Sequence, residues 1–353
     1  MQKIIIKIGT KSLLNSDSCL DNLVVRNLAR EIKKQIANGN QVAVITSGAV
    51  AQGKFLSQDK KLDKRGLAAL GQADLIASYV KEFSGEGLLV AQILLSKNDI
   101  LNKDTYNTLR ETVVKLMSAG IVPIINENDI LSKNTTVSFQ DNDGLAVVVA
   151  LAIDAKLVIN LSHVDGLYDK NPDINKDAKL IDKVQNVGKE LMLQCDRGMS
   201  QEGSGGMLGK LRAMRMGSAF GITMVLTNGK KEGVVEKAVA GEPVGTLFLP
   251  HPDAKFKARD CWIVSAKISS GSVVVDKGAA TALRKSKSLL AVGVKKIYGT
   301  FAEGEVIDIL DLDGDQLAVG IVKLNYQDLQ KMISGKVKSY DQEVAHANDL
   351  IIL

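Results

Sequence analysis

Hydrophobic residues in the first two-thirds of the chain fall into short continuous runs, separated by longer stretches with helical spacing. Residues 4–8 form an apolar run that stops at Gly9-Thr10. Residues 21–38 then place Val24, Leu28, Ile32 and Ile36 on one helical face, with Gly39 behind them as a stop. The alternation continues, predicting strands over 42–46, 88–95, 121–125, 157–161 and 222–227, and helices over 104–119, 142–155 and 208–220. Strands alternating with helices of about 10–15 residues predict an α/β fold, a mainly parallel sheet sandwiched by helices on both faces. Ligands of such folds bind at the carboxyl ends of the strands.

Near residue 250 the pattern changes. Leu249-Pro250-His251-Pro252 reads as a linker, and the remainder lacks strand–helix alternation. Short strand candidates at 273–276, 293–298, 305–310 and 317–322 lie between glycines and suggest a compact β-rich module. At 353 residues the chain is long for a single core. Two domains are therefore expected, 1–250 and 251–353.

Composition narrows the chemistry. Aromatic residues make up 4% of the chain, so the core must be built mainly from Val, Ile, Leu and Ala. A net charge of +5 from 45 basic and 40 acidic side chains is too small and too dispersed to announce a nucleic-acid or membrane surface. Residues 251–353 hold 14 basic and 13 acidic side chains, so RNA binding by this module is not expected. Cys19, Cys195 and Cys261 are far apart and form no C-x-x-C pair, which fits reduced thiols. The start of the chain carries no cleavage site, and no apolar stretch reaches the ~18 residues of a membrane helix. The expectation is a cytoplasmic protein without a membrane partner.

The predicted strand ends carry the chemistry. Lys7 lies inside the first apolar strand, where a cation is costly to bury without an anionic partner. Ser47-Gly48 follows the second strand and opens a helix, leaving backbone N–H groups for an anion. Asn126-Glu127-Asn128-Asp129 follows another strand, and Asp141-Asn142-Asp143-Gly144 stands at a helix start. Asp141 and Asp143 do not form a calcium loop, because Phe139 occupies a ligand position. The segment from Gly203 to Lys210 resembles a phosphate-cradling loop. It is not a Walker loop, since five residues separate Gly203 from Gly209 and Leu211 follows the lysine. Two lysines, carboxylates and anion-binding turns at successive strand ends describe phosphoryl transfer, which needs cations and rigid positioning more than a nucleophilic side chain.

Taken in order, K-I-G-T (7–10), T-S-G-A-V (46–50), I-N-E-N-D (125–129), Q-D-N-D (140–143), D-G-L-Y (165–168) and G-S-G-G-M-x-x-K (203–210) resemble the glutamate 5-kinase family, whose catalytic domain has the amino-acid kinase fold. V-D-K-G-A (275–279) and G-x-F-x-x-G-E-V (299–306) resemble its C-terminal PUA domain. The resemblance covers essentially the whole chain. It implies ATP-dependent phosphorylation of the side-chain carboxylate of L-glutamate, the first step of proline biosynthesis. Lys7 and Lys210 would hold the transferring phosphoryl group, with Asp143 orienting both. Ser47, Asp129 and Asn142 would bind glutamate. Gly9, Thr10, Ser162, His163, Gly205, Gly206 and Met207 would join the two lysines around the nucleotide. Mg²⁺ would sit mainly on the ATP phosphates, with no metal ligands from the protein. A homo-oligomer and feedback inhibition by proline are also implied. Ser162-His163 stands where the family usually has Thr-Asp, and Gly144 where Asn is common. Aspartokinase, acetylglutamate kinase and nucleoside monophosphate kinases share the lysine pair, but I-N-E-N-D and the PUA-like tail argue against them. An RNA-binding protein and a regulatory pseudokinase are the other classes compatible with parts of the chain.

Overall fold

The computed structural model describes residues 1–58, 60–131, 142–172, 174–188, 191, 206–252, 271–335 and 341–352. The chain divides into two compact units, Met1–Lys255 and Phe256–Leu353.

The first unit is built on an eight-stranded sheet of β1 (Lys3–Ile8), β2 (Gln41–Ile45), β3 (Val90–Leu95), β4 (Val122–Glu127), β5 (Leu157–Ser162), β6 (Lys183–Val184), β7 (Thr223–Asn228) and β8 (Thr246–Phe248), in the order β3-β4-β2-β1-β5-β7-β8-β6. Strands β3 to β7 of that order pair in parallel, whereas β8 turns antiparallel to β7. This antiparallel edge was not predicted, because a three-residue strand is too short to show a pattern.

The helices are α1 (Thr10–Leu13), α2 (Asn22–Ala37), α3 (Ala49–Ser57), α4 (Lys64–Gly85), α5 (Lys97–Leu101), α6 (Lys103–Ser118), α7 (Asn142–Ile153), α8 (Met207–Ala219) and α9 (Val234–Ala240). Local chemistry sets several of their ends. Asp21 caps α2 through the Leu23 N–H, Asp63 caps α4 through Gly66, and Asn102 caps α6 through Asp104 and Thr105.

Alternation along the strands assigns the two sheet faces. Ile4, Ile6 and Ile8 of β1, Val42 and Val44 of β2, and Leu157, Ile159 and Leu161 of β5 pack with apolar residues of α2, α4 and α9 in one core. The intervening positions, among them Lys7 and Asn160, turn to the opposite face, where α7 contacts β1 and β5. Helix α7 is apolar almost throughout and buried over its length, so its only early polar residues, Asn142 and Asp143, stand at its N-terminus.

The second unit contains β9 (Ser272–Val275), β10 (Leu289–Leu290), β11 (Val294–Tyr298), β12 (Val306–Leu310), β13 (Gln316–Ile321), β14 (Glu343–Ala345) and β15 (Leu350–Ile352). Five form a sheet in the order β11-β9-β12-β13-β15, and β10 pairs with β14. Two helices, α10 (Lys277–Arg284) and α11 (Tyr326–Ile333), cover its core through Ala280, Leu283, Leu329 and Met332. They are amphipathic but only eight residues long, too short for the periodicity to have separated them from loops.

Candidate active site

Strands β1 and β5 and the start of α8 each send a side chain to one carboxylate at the start of α7. Lys7 is the next-to-last residue of β1 and is 4% exposed. Its Nζ lies 2.6 Å from Oδ1 of Asp143, the second residue of α7. Lys210, one turn into α8, places Nζ 2.9 Å from Oδ2 of the same side chain. Asn160, the register partner of Lys7 on β5, donates from Nδ2 to Asp143 Oδ1 at 2.5 Å. Burial would push the Asp143 carboxyl up, but the two ammoniums outweigh it and hold the group lowered to about 2. Asp143 is therefore ionised at neutral pH, one anion shared by two lysines.

A second group of contacts surrounds Ser47. The Nδ2 of Asn142 faces the Thr46 carbonyl at 2.6 Å, Ser47 Oγ at 2.9 Å and Asn126 Oδ1 at 2.9 Å. Its two hydrogens thus serve three acceptors. Asn126 in turn donates to Gln72 Oε1 of α4 at 2.7 Å. The chain turns sharply at Gly48, whose φ of +101° no residue with a Cβ adopts easily, and α3 begins immediately after it. A Cβ on Gly48 would lie 3.9 Å from the Thr10 methyl, and one on Gly9 would lie 3.7 Å from Lys7 Nζ. The turns at Gly9-Thr10 and Ser47-Gly48 are thus neighbours beside the lysine.

Asp129, in the turn after β4, stands apart from this network. Its ion-pair partner is Lys64 at 3.8 Å, and among the described residues no hydrogen bond joins it to Ser47 or Asn142. Burial first and the Glu127 carboxylate second raise its pKa, against the opposing pull of Lys64. Ser162 ends β5 with its Oγ buried and unbonded among the described residues, and the exposed His163 follows it. Gly206 precedes α8 and Met207 is its first residue, so the Lys210–Asp143 pair ties the start of α8 to the start of α7. Gly205 lies outside the described residues. Among the described residues no group of three or more His, Cys, Asp or Glu side chains could hold a metal ion.

Residues 2–228 match the amino acid kinase family and residues 271–344 match the PUA domain. The chain is also similar over its whole length to proteins described as glutamate 5-kinase. It is 35% identical over 367 residues to the one from Geobacter metallireducens, covering 100% of this chain and 98% of the relative. With that of Caldanaerobacter subterraneus it shares 34% identity over 366 residues, covering 99% of this chain and 98% of the relative. The chain belongs to the glutamate 5-kinase family. The crystal structure of a UMP kinase from Bacillus anthracis has the same fold at 17% identity, with a TM-score of 0.51, covering 70% of this chain and 96% of that one.

Within this amino acid kinase fold, Lys7, Asp143 and Lys210 come together, as do Ser47 and Asn142. The sequence marked Asn126 as part of a strand-end motif without giving it a role of its own, and passed over Gln72 and Asn160. Asn126 lies inside the I-N-E-N-D segment, and a buried polar residue in the apolar run L-V-I-N-L is the same signal that marked Lys7. Gln72 had no comparable signal, since it lies mid-helix in α4 among residues of mixed polarity.

Proposed function

We propose that the protein transfers the γ-phosphoryl group of ATP to the side-chain carboxylate of L-glutamate, giving L-glutamyl 5-phosphate and ADP for proline biosynthesis. The observation that carries this reading is the pairing of Lys7 and Lys210 on the single buried carboxylate of Asp143, in a chain that matches its glutamate 5-kinase relatives end to end.

The substrate carboxylate is already an anion and attacks the γ-phosphorus directly, so the step needs no general base. A bond forms between a carboxylate oxygen and phosphorus, and the bond from phosphorus to the bridging oxygen of ADP breaks. Negative charge then shifts from the equatorial oxygens toward the leaving group. Lys7 and Lys210 are the cations for that charge, and Asp143 holds them in place, so little reorganisation remains when the reaction occurs. Gly9, Thr10, Gly205, Gly206 and Met207 supply backbone around the phosphates, and Ser162 and His163 lie on the nucleoside side. Both Asp143 oxygens are already engaged by Lys7, Asn160 and Lys210, which favours Mg²⁺ held by the ATP phosphates, where it would neutralise their charge. Ser47 and Asn142 bind the reacting end of glutamate, and Asp129 its ammonium.

The catalytic domain is assigned to 1–250 and the PUA domain to 251–353. The protein works in the cytoplasm as a homo-oligomer and is inhibited by proline. Among the described residues no helix is long and apolar enough to cross a membrane.

The test is ADP release by the purified protein with Mg²⁺ and ATP, with hydroxylamine present to trap an acyl phosphate. L-glutamate, L-aspartate and N-acetylglutamate are compared as acceptors. Hydroxamate formed with glutamate alone is the expected result. Turnover with another acceptor would remove the substrate assignment, and a proline titration in the same assay tests the feedback.

A further inference from the structure

Asn160 is an amide inside a strand that is otherwise apolar. It is 2% exposed, with Ile159 and Leu161 beside it and Leu226 opposite it on β7, all buried. Its orientation is fixed by chemistry, since a carboxylate only accepts hydrogen bonds and Nδ2 must therefore face Asp143. The amide oxygen then points elsewhere and, among the described residues, has no hydrogen-bond partner. A buried acceptor left unbonded costs folding free energy, whereas a leucine of similar size would fill the space without that cost. Fold stability alone therefore does not account for an asparagine at this position.

The geometry around Asp143 offers another account. Oδ1 receives both the Lys7 ammonium and the Asn160 amide, whereas Oδ2 receives Lys210. Lys7 and Asn160 are register partners on adjacent parallel strands, so both reach the carboxylate from the same face of the rigid sheet centre.

We propose that Asn160 is a positioning residue: its amide fixes the plane of the Asp143 carboxylate so that one oxygen faces each lysine, and it keeps Oδ1 hydrogen-bonded while Lys7 turns to the phosphoryl group. The second half of this statement rests on the proposed kinase reaction, and the first does not. Without the amide, the carboxylate can rotate about its terminal bond, which has only a broad torsional preference. Turning Lys7 toward substrate would then strip a buried oxygen of its donor.

The experiment uses the full-length protein and the variants Asn160→Leu and Asn160→Asp. For Asn160→Leu we expect a melting temperature equal to or above the parent's. Turnover should fall about tenfold, with KM for glutamate and ATP within about twofold of the parent. Its crystal structure should show the Asp143 carboxylate rotated away from one of the two lysines. Asn160→Asp keeps the shape but sets an acceptor against an acceptor, so its turnover should fall further at neutral pH. A lowered melting temperature with kcat and KM changing together would make Asn160 a packing residue and overturn the inference. So would an Asp143 carboxylate that keeps both lysine contacts in the Asn160→Leu crystal. A parent protein silent with glutamate would sink the kinase reading, and the crystal structure would still decide whether Asn160 holds Asp143.

Discussion

Lys7 and Asp129 are both charged groups withdrawn from water, yet their surroundings prepare them for different tasks. Lys7 is neutralised by a carboxylate at 2.6 Å, while among the described residues Asp129 has the exposed Lys64 at 3.8 Å as its ion-pair partner, with Glu127 adding like charge. On the proposed reaction, Lys210→Ala removes a cation from the transferring group, so kcat should fall by roughly 10²-fold or more, with KM for glutamate little changed. Asp129→Ala should instead raise KM for glutamate, and steady-state kinetics on the two variants separates the roles. Equal losses in both parameters for both variants would reject them. The raised pKa of Asp129 adds a pH dependence. Only its ionised form pairs with an ammonium, so KM for glutamate should climb as pH falls through that raised value, at a higher pH than an ordinary aspartate would show. A KM that stays flat down to the usual carboxylate range would contradict this. Lys7 was legible from sequence because a lysine in an apolar strand needs an explanation. Local pattern did not name its partner, because Asp143 lies 136 positions away and several carboxylates were equally available along the chain; the family resemblance alone pointed to Asp143.

At the scale of elements, the central strands were legible as continuous apolar runs because both their faces are buried, and the amphipathic helices because one face is buried and the other wet. Helix α2 is the clearest case, with Val24, Val25, Leu28 and Ile32 buried against the sheet. Helix α4 was missed, although it is 22 residues long. It packs against α2, α3 and β3 at once, so its apolar residues are spread around several sides and leave no single stripe. Its contact with α3 depends on small residues. A methyl group at Gly71 would come within 1.9 Å of the Ala49 carbonyl oxygen, and one at Gly53 within 1.8 Å of the Leu67 carbonyl oxygen. Because α3 starts at the Ser47-Gly48 turn, this close approach also sets where that turn lies. Gly71→Ala should therefore destabilise the protein by about 2 kcal/mol or more and raise KM for glutamate. Gly85→Ala, with open space around the added methyl, should be neutral or stabilising by up to about 1 kcal/mol. Urea unfolding of the two variants measures the difference. Equal stabilities would mean that α3 can move aside.

Across the whole molecule, each unit has its own hydrophobic core. The second is centred on Val273, Ile307, Ile309, Ala318 and Val344, and among the described residues the two cores share no residue. Ile307→Ala should cost about 2–4 kcal/mol in the second unit. Calorimetry should show one transition lowered and another unmoved, with glutamate turnover retained at temperatures below both. Loss of turnover in step with unfolding of the second unit would instead tie catalysis to it. The β-rich character of this unit was visible from its glycine-bounded strands. Its helices α10 and α11 were not, because at eight residues each their formation depends on the sheet they cover.

Sequence alone determined the alternation of strands and helices, the parallel sheet at the centre of the first unit, the change of texture near residue 250 and the family of the chain. These follow from local periodicity, turn chemistry and motifs that lie within a few residues of one another. Local pattern left open which charges meet; the resemblance implied that Asp143 joins the two lysines, and the tertiary structure brings them, with Asn160, into contact. Lys7, Asp143, Asn160 and Lys210 come from three strand–helix units separated along the chain, and sheet order brings them to one point. The physical reason is that backbone preference is set by near neighbours, whereas a buried ion pair depends on distances between elements whose packing no short segment encodes.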